Sequence, residues 1–225
     1  MRRGTVWRGA VAQHCRLTCV IISSAMLGLI AAATVADSGM ATPPKQTVVV
    51  LGDSISAAYG IQREQGWVHL LDLHLQETHS EWRVVNASVS GETTSGGLGR
   101  LPGVLADIRP DIVIVELGGN DGLRGYPVAT MQQNLVTMVD LIRAAGAEPI
   151  IVAMRIPPNY GPRYTNQFEA AFAEVAATKK TAFVPFLLAE VALEPGFMQD
   201  DGIHPTAAAQ PTLLATLLPF LTPLL

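Results

Sequence analysis

Two short runs with no polar side chain constrain the fold more than any other feature. Val48-Val49-Val50-Leu51 and Ile112-Val113-Ile114-Val115 are β-branched or leucine at every position. Such residues suit an extended strand and leave both of its faces apolar. A strand of this kind must be covered on both faces, and helices packed on either side of a parallel sheet do this. Strands are expected over residues 46–51, 82–86, 111–117, 148–153 and 181–185, and helices over 64–79, 95–108, 127–145, 167–178 and 206–218. In the first helix Trp67, Leu70, Leu71 and Leu75 share a face. In the third, Met131, Leu135, Met138 and Ile142 are spaced for one stripe, with Pro127 placed to begin the helix and Gly146 to end it. This alternation predicts one doubly wound α/β domain over 46–225, with about five parallel strands. Ligand sites in such sheets lie beyond the carboxyl ends of the strands.

The first 36 residues read differently. Arg2, Arg3, Arg8 and Arg16 precede an uncharged stretch from Leu17 to Ala36, and no acidic residue comes before Asp37. A basic head, an apolar body and the small residues Thr34-Val35-Ala36 predict a secretory signal peptide over 1–36. A polar linker containing Pro43-Pro44 follows over 37–45. The same stretch is long enough to stay as an uncleaved membrane anchor, which is the alternative. The expected location is periplasmic or secreted, without stable membrane insertion once the leader is removed. Both cysteines, Cys15 and Cys19, fall in the leader, so disulfides and thiolate zinc sites are excluded from the expected mature part. Loss of the four leader arginines would take the formal charge from −4 to −8, which disfavours nucleic acid as a partner.

Three motifs carry chemistry. Gly52-Asp53-Ser54 ends the first apolar run and Gly118-Gly119-Asn120-Asp121 follows the second, while Asp201-Gly202-Ile203-His204 stands near the end of the chain. Ser54 is a candidate nucleophile whose own N–H can face a reacting carbonyl, and Gly52 is read as permitting a tight turn before it. His204 is the candidate base, with Asp201 close enough to hold its other ring nitrogen; the i−3 spacing favours Asp201 over Asp200. Gly91, just after the second strand, can offer an unobstructed backbone N–H, and Asn120 a side-chain N–H, to a tetrahedral oxyanion. Position 56 is Ser56 rather than glycine, so the Gly-x-Ser-x-Gly elbow of common α/β-hydrolases is absent. His69, His74 and His79 step by five along one helix and turn to different faces, which gives no metal cluster.

These blocks together resemble the SGNH (GDSL-type) hydrolase family. Longer strings resemble its bacterial periplasmic branch of thioesterases, lysophospholipases and arylesterases: Val85-Asn86-Ala87-Ser88, Val115 through Gly125, Pro158-Asn159-Tyr160-Gly161 and Met198 through Pro205. The resemblance implies a flavodoxin-like three-layer domain that needs neither metal nor organic cofactor. It implies Ser54 as nucleophile, Asp201 and His204 as the rest of a triad, and Ser54, Gly91 and Asn120 as oxyanion donors. It also implies carboxylic esters and acyl thioesters as small-molecule substrates, with a monomer expected. Tyr126-Pro127-Val128-Ala129 and Arg155-Ile156-Pro157-Pro158 only approximate the branch's pattern, so acyl preference is open. Leu123, Ile156 and Pro157 are expected to line the acyl pocket. Two alternatives stand beside this reading: a carbohydrate deacetylase, which would want a more polar site, and a non-catalytic extracytoplasmic binding module on the same fold.

Overall fold

The computed structural model describes residues 45–225. The expected leader over 1–36, and the expected linker apart from Lys45, lie outside the described residues. Five parallel strands form the sheet: β1 (Gln46–Gly52), β2 (Trp82–Asn86), β3 (Ile112–Glu116), β4 (Glu148–Val152) and β5 (Ala182–Val184). Among the described residues six α-helices accompany them: α1 (Trp67–Thr78), α2 (Thr94–Ile108), α3 (Gly119–Leu123), α4 (Val128–Ala144), α5 (Pro162–Lys179) and α6 (Gln210–Leu221).

Alternate side chains of the apolar strands feed two cores, as the pleat requires. Val49, Leu51, Val113, Val115 and Ile151 pack against α2, α4 and α5. Val48, Val50, Ile112, Ile114 and Ile150 pack against α1 and α6 on the other face. Each strand valine or isoleucine buried in this way contributes about 1.5–3 kcal/mol relative to exposure, which is why β1 and β3 tolerate so few polar residues. The C-terminal run Ala207–Leu224 matches a membrane span in length and mean hydropathy. Its Leu213, Leu217 and Leu221 are nevertheless fully buried against the sheet, so in this fold it forms a covering layer.

The strand order is β2-β1-β3-β4-β5, the flavodoxin-like arrangement whose switch point falls between β1 and β3. The β1–β3 register pairs Val48 with Ile112 and ends with Gly52 beside Glu116. The segments leaving these two strands therefore diverge from one crevice, and both carry candidate site residues.

Several expected boundaries move. The first helix begins at Trp67, after a separate 3-10 turn at Arg63–Gln65, because Gly66 is extended at the junction. Its core face is Trp67, Val68, Leu71 and Leu75, with Leu70 only half-buried. Pro127 caps α4 from outside rather than forming its first turn. α5 starts five residues earlier than expected, since Pro162 supplies a favourable first helical position. The last helix is α6, preceded by a 3-10 turn at Ala207–Ala209, and it runs on to Leu221 through Pro219. α3 is an addition: Gly119-Asn120-Asp121-Gly122-Leu123, where no helix is expected, forms a short one after Gly118.

Candidate active site

The Ser54 loop leaves β1 at Gly52, and Gly52 is glycine for want of space rather than for a turn. A Cβ there would meet Glu116 Oε2 at 2.6 Å and Ser56 Oγ at 2.7 Å. The loop then folds on itself, with Ala57 N donating to Asp53 O and Tyr59 N to Ser54 O. Ala58 and Gly60 both adopt positive φ to complete it. On the far side of the crevice, Met198 and Pro205 form an antiparallel bridge that closes a tight loop around Asp201 and His204. Gln199 joins the two loops: its Nε2 donates to Tyr59 O at 2.8 Å and to Pro205 O at 3.0 Å.

This folding brings together three residues separated by up to 150 positions. His204 Nε2 lies 2.9 Å from Ser54 Oγ, and His204 Nδ1 lies 2.7 Å from Asp201 Oδ2. Asp201 Oδ1 also accepts from the backbone N–H groups of Ile203 and His204. The His204 N–H and ring, followed by the Ile203 N–H, lower the Asp201 carboxyl to about 2, so it stays ionised across the working pH range. Asp200 is exposed beside it, and the imidazole's hydrogen bond and ion pair go to Asp201. The Tyr59 ring packs on the imidazole at 4.4 Å between centroids. An imidazole joined on one side to a carboxylate and on the other to a hydroxyl can accept the hydroxyl proton and hold the resulting charge.

Gly91 and Asn120 border the same cleft as Ser54 and His204. Gly91 has φ +78°, which favours glycine, and its segment is tied down at several points. Arg124 donates to Gly91 O at 3.1 Å, and Arg100 bonds both Glu92 Oε2 and Ala87 O. Asp121, next to Asn120, accepts from Thr94 N at 2.8 Å and Thr94 Oγ1 at 2.6 Å, capping the start of α2 from another segment. Asn120 stands at the second position of α3, after Gly118 at φ +121°. Its Nδ2 donates to Asp53 Oδ2 at 3.1 Å.

The cleft holds about 550 Å³ and is mostly apolar. Leu123, Ile156 and Pro157 all line it, joined by Met154, Phe186 and Leu188. Leu193 and Ile203 stand at its exposed rim. Arg155 is the cation in this wall; it pairs with Glu169 at 3.3 Å and lies over the Phe186 ring.

Beneath the Ser54 loop Asp53 meets a second acid, Glu116, to which the sequence assigns no role. Glu116 is fully buried at the end of β3, with Oε2 2.6 Å from Ser56 Oγ and accepting from Asp53 N at 3.3 Å. Burial first, and then the charge of Asp53, hold its carboxyl well above the ordinary range. Its signal in the sequence was a lone acid closing an otherwise apolar strand. A carboxyl raised on folding binds its proton more tightly in the folded chain than in the unfolded one. Its contribution is therefore complete below about pH 4.5 and declines as pH rises towards the folded value. Glu116→Gln, uncharged at every pH, is expected to remove that decline. Urea unfolding between pH 4.5 and pH 8 should show the variant gaining on the parent by up to about 1 kcal/mol per pH unit before levelling off. Parallel pH curves for the two proteins would contradict a neutral buried Glu116.

Residues 50–210 match the sequence model of the GDSL-like lipase/acylhydrolase family, which covers well over half of the chain. The chain belongs to that family. It is 53% identical to esterase TesA of Pseudomonas aeruginosa, over 80% of this chain and 90% of that protein. It is 44% identical to thioesterase 1/protease 1/lysophospholipase L1 of Escherichia coli, over 73% of this chain and 78% of the relative. Among solved structures, psychrotrophic esterase EstA from Pseudoalteromonas sp., inhibited by monoethylphosphonate, superposes with a TM-score of 0.77 at 40% identity, covering 80% of this chain and 98% of that one. The fold is thus that of an SGNH hydrolase, and this family member is an enzyme.

Proposed function

We propose that the chain is a secreted serine hydrolase that cleaves carboxylic esters and acyl thioesters through an acyl-enzyme on Ser54. The observation that carries this reading is the continuous hydrogen-bonded chain from Ser54 Oγ through His204 to Asp201. Ser54 Oγ attacks the acyl carbon while its proton passes to His204 Nε2. The carbonyl oxygen becomes an oxyanion that accepts from the N–H groups of Ser54 and Gly91 and from the Asn120 amide. Collapse breaks the bond to the leaving oxygen or sulfur, which takes the proton from His204. Water then attacks the acyl-enzyme, His204 again accepting the proton, and the carboxylic acid leaves with Ser54 restored. Asp201 keeps the imidazole in the tautomer that this sequence needs.

The names of the relatives, which include esterase, thioesterase and lysophospholipase, agree with this chemistry. So does the phosphonate inhibition of the related EstA, since an activated serine attacks the electrophilic phosphorus of such inhibitors. The leader pattern of basic head, apolar body and small residues supports a periplasmic or secreted location.

The apolar cleft favours acyl chains over acetyl groups on sugars. Each substrate methylene that leaves water contributes up to about 0.8 kcal/mol. If that burial is realised in the transition state, kcat/KM rises by up to about fourfold per carbon until the cleft is full. We expect that climb from acetyl to medium-chain esters with one leaving group, measured below their micelle concentrations. Ile156→Asp should flatten it while acetyl-ester turnover survives. A profile that falls from acetyl with every added carbon would favour the deacetylase instead.

A further inference from the structure

We propose that Asp53 is a positioning residue that locks the nucleophile loop and the Asn120 amide into one unit. The inference rests on the reading of Asn120 as an oxyanion donor. Asp53 stands immediately before Ser54, is nearly fully buried, and divides its two carboxylate oxygens between two elements. Oδ1 accepts from Ile55 N at 3.0 Å, which fixes the turn on the far side of Ser54. Oδ2 accepts from Asn120 Nδ2 at 3.1 Å, which fixes the side chain arriving from α3.

A side-chain amide has two N–H bonds. One of Asn120's is committed to Asp53, so its rotation is set and the other hydrogen is left for the cleft. The contact is close on its open side as well, since a Cβ on Gly119 would lie 3.3 Å from Asp53 Oδ2. Only an ionised carboxylate accepts on both oxygens without donating. Asparagine at position 53 could accept from Ile55 N, but it would then turn its own NH₂ towards that of Asn120. The two donors would repel, and the Asn120 amide would rotate away.

The location is costly for a negative charge, which argues that the charge has a use. Glu116 faces Asp53 from β3, Asp121 from α3, and His204 from the loop before α6. Burial is the main effect and raises the Asp53 carboxyl to about 6; Asp121 adds to the rise, while Ile55, Asn120 and His204 oppose it. Protonation converts one acceptor oxygen into a donor and releases Asn120. Full turnover therefore needs two groups deprotonated, His204 to accept a proton and Asp53 to hold the amide, and loss of the second slows the reaction without stopping it.

A double-mutant cycle in the full mature protein tests this, with D53N, N120A and the double variant assayed on one short acyl ester. Fluorophosphonate labelling stoichiometry gives the folded, competent fraction of each. D53N is expected to lower kcat/KM by about 10- to 100-fold with KM within about twofold, and to cost less than about threefold once N120A is present. An equal cost in both backgrounds, or none in the parent, would overturn the inference alone. If N120A itself has no effect, the oxyanion reading falls and this inference with it. A measurement on the parent protein serves even if D53N does not fold. Its log kcat/KM should fall at acid pH with a slope that exceeds one over the range in which Asp53 protonates, and a slope that never exceeds one would overturn the proposal.

Discussion

Ser54→Ala is expected to lower kcat/KM by about 10⁴-fold or more on any acyl ester, while the thermal transition stays within a few degrees of the parent. The size follows from the chemistry. Without the hydroxyl there is no acyl-enzyme, and water must attack a substrate that the remaining groups only bind and polarise. Ser54 is only half-buried in an open cleft, and removing its hydroxyl leaves no deeply buried partner unsatisfied. Stability and activity should therefore separate cleanly. Circular dichroism melting beside steady-state kinetics checks this, and residual turnover within about tenfold of the parent would place the nucleophile elsewhere.

Asn120→Ala is the second large effect. Loss of one preorganised donor to a developing oxyanion costs about 10²- to 10³-fold in kcat, or about 3–4 kcal/mol. The loss should fall on kcat, because the donor is used more strongly in the transition state than in the bound ester. The substitution also strips Asp53 Oδ2 of its amide partner, so part of the cost could reach the nucleophile loop. A loss confined to KM would mean that Asn120 serves ground-state binding only.

The layered fold was legible because its two central strands carry no ambiguity. Val48–Leu51 and Ile112–Val115 can be buried on both faces and little else, and the order of elements left few ways to cover them. Trp82–Asn86 was read with its observed limits, since turn-forming residues flank it on both sides. Boundaries governed by tertiary contacts were harder. Gly118 before it and the two glycines within Gly119–Leu123 hid α3, whose helical turn is closed by Gly122 N donating to Gly118 O. α5 looked shorter because its first turn, Pro162-Arg163-Tyr164-Thr165, has little apolar periodicity, yet Thr165 is buried there.

At the site, the motif residues could be named from the sequence, but the forces that arrange them could not. Asp53 was read only as part of Gly-Asp-Ser, and its second partner is 67 positions away. Gln199 is an ordinary polar loop residue until its amide is found bonded to both Tyr59 O and Pro205 O. The need for glycine at position 52 likewise depends on Glu116 from another strand. Contacts of this kind have no local signature, because each is made between segments that meet only after folding.

A covalent intermediate on Ser54 requires a hydroxyl that reacts with fluorophosphonates, and the intact mass of the treated protein records that reaction. The protein is incubated with a fluorophosphonate, its intact mass is recorded, and the adduct is mapped by peptide fragmentation. A single adduct is expected, carried by Ser54 and absent from the Ser54→Ala protein. An adduct on another residue, or none while ester hydrolysis continues undiminished, would contradict it.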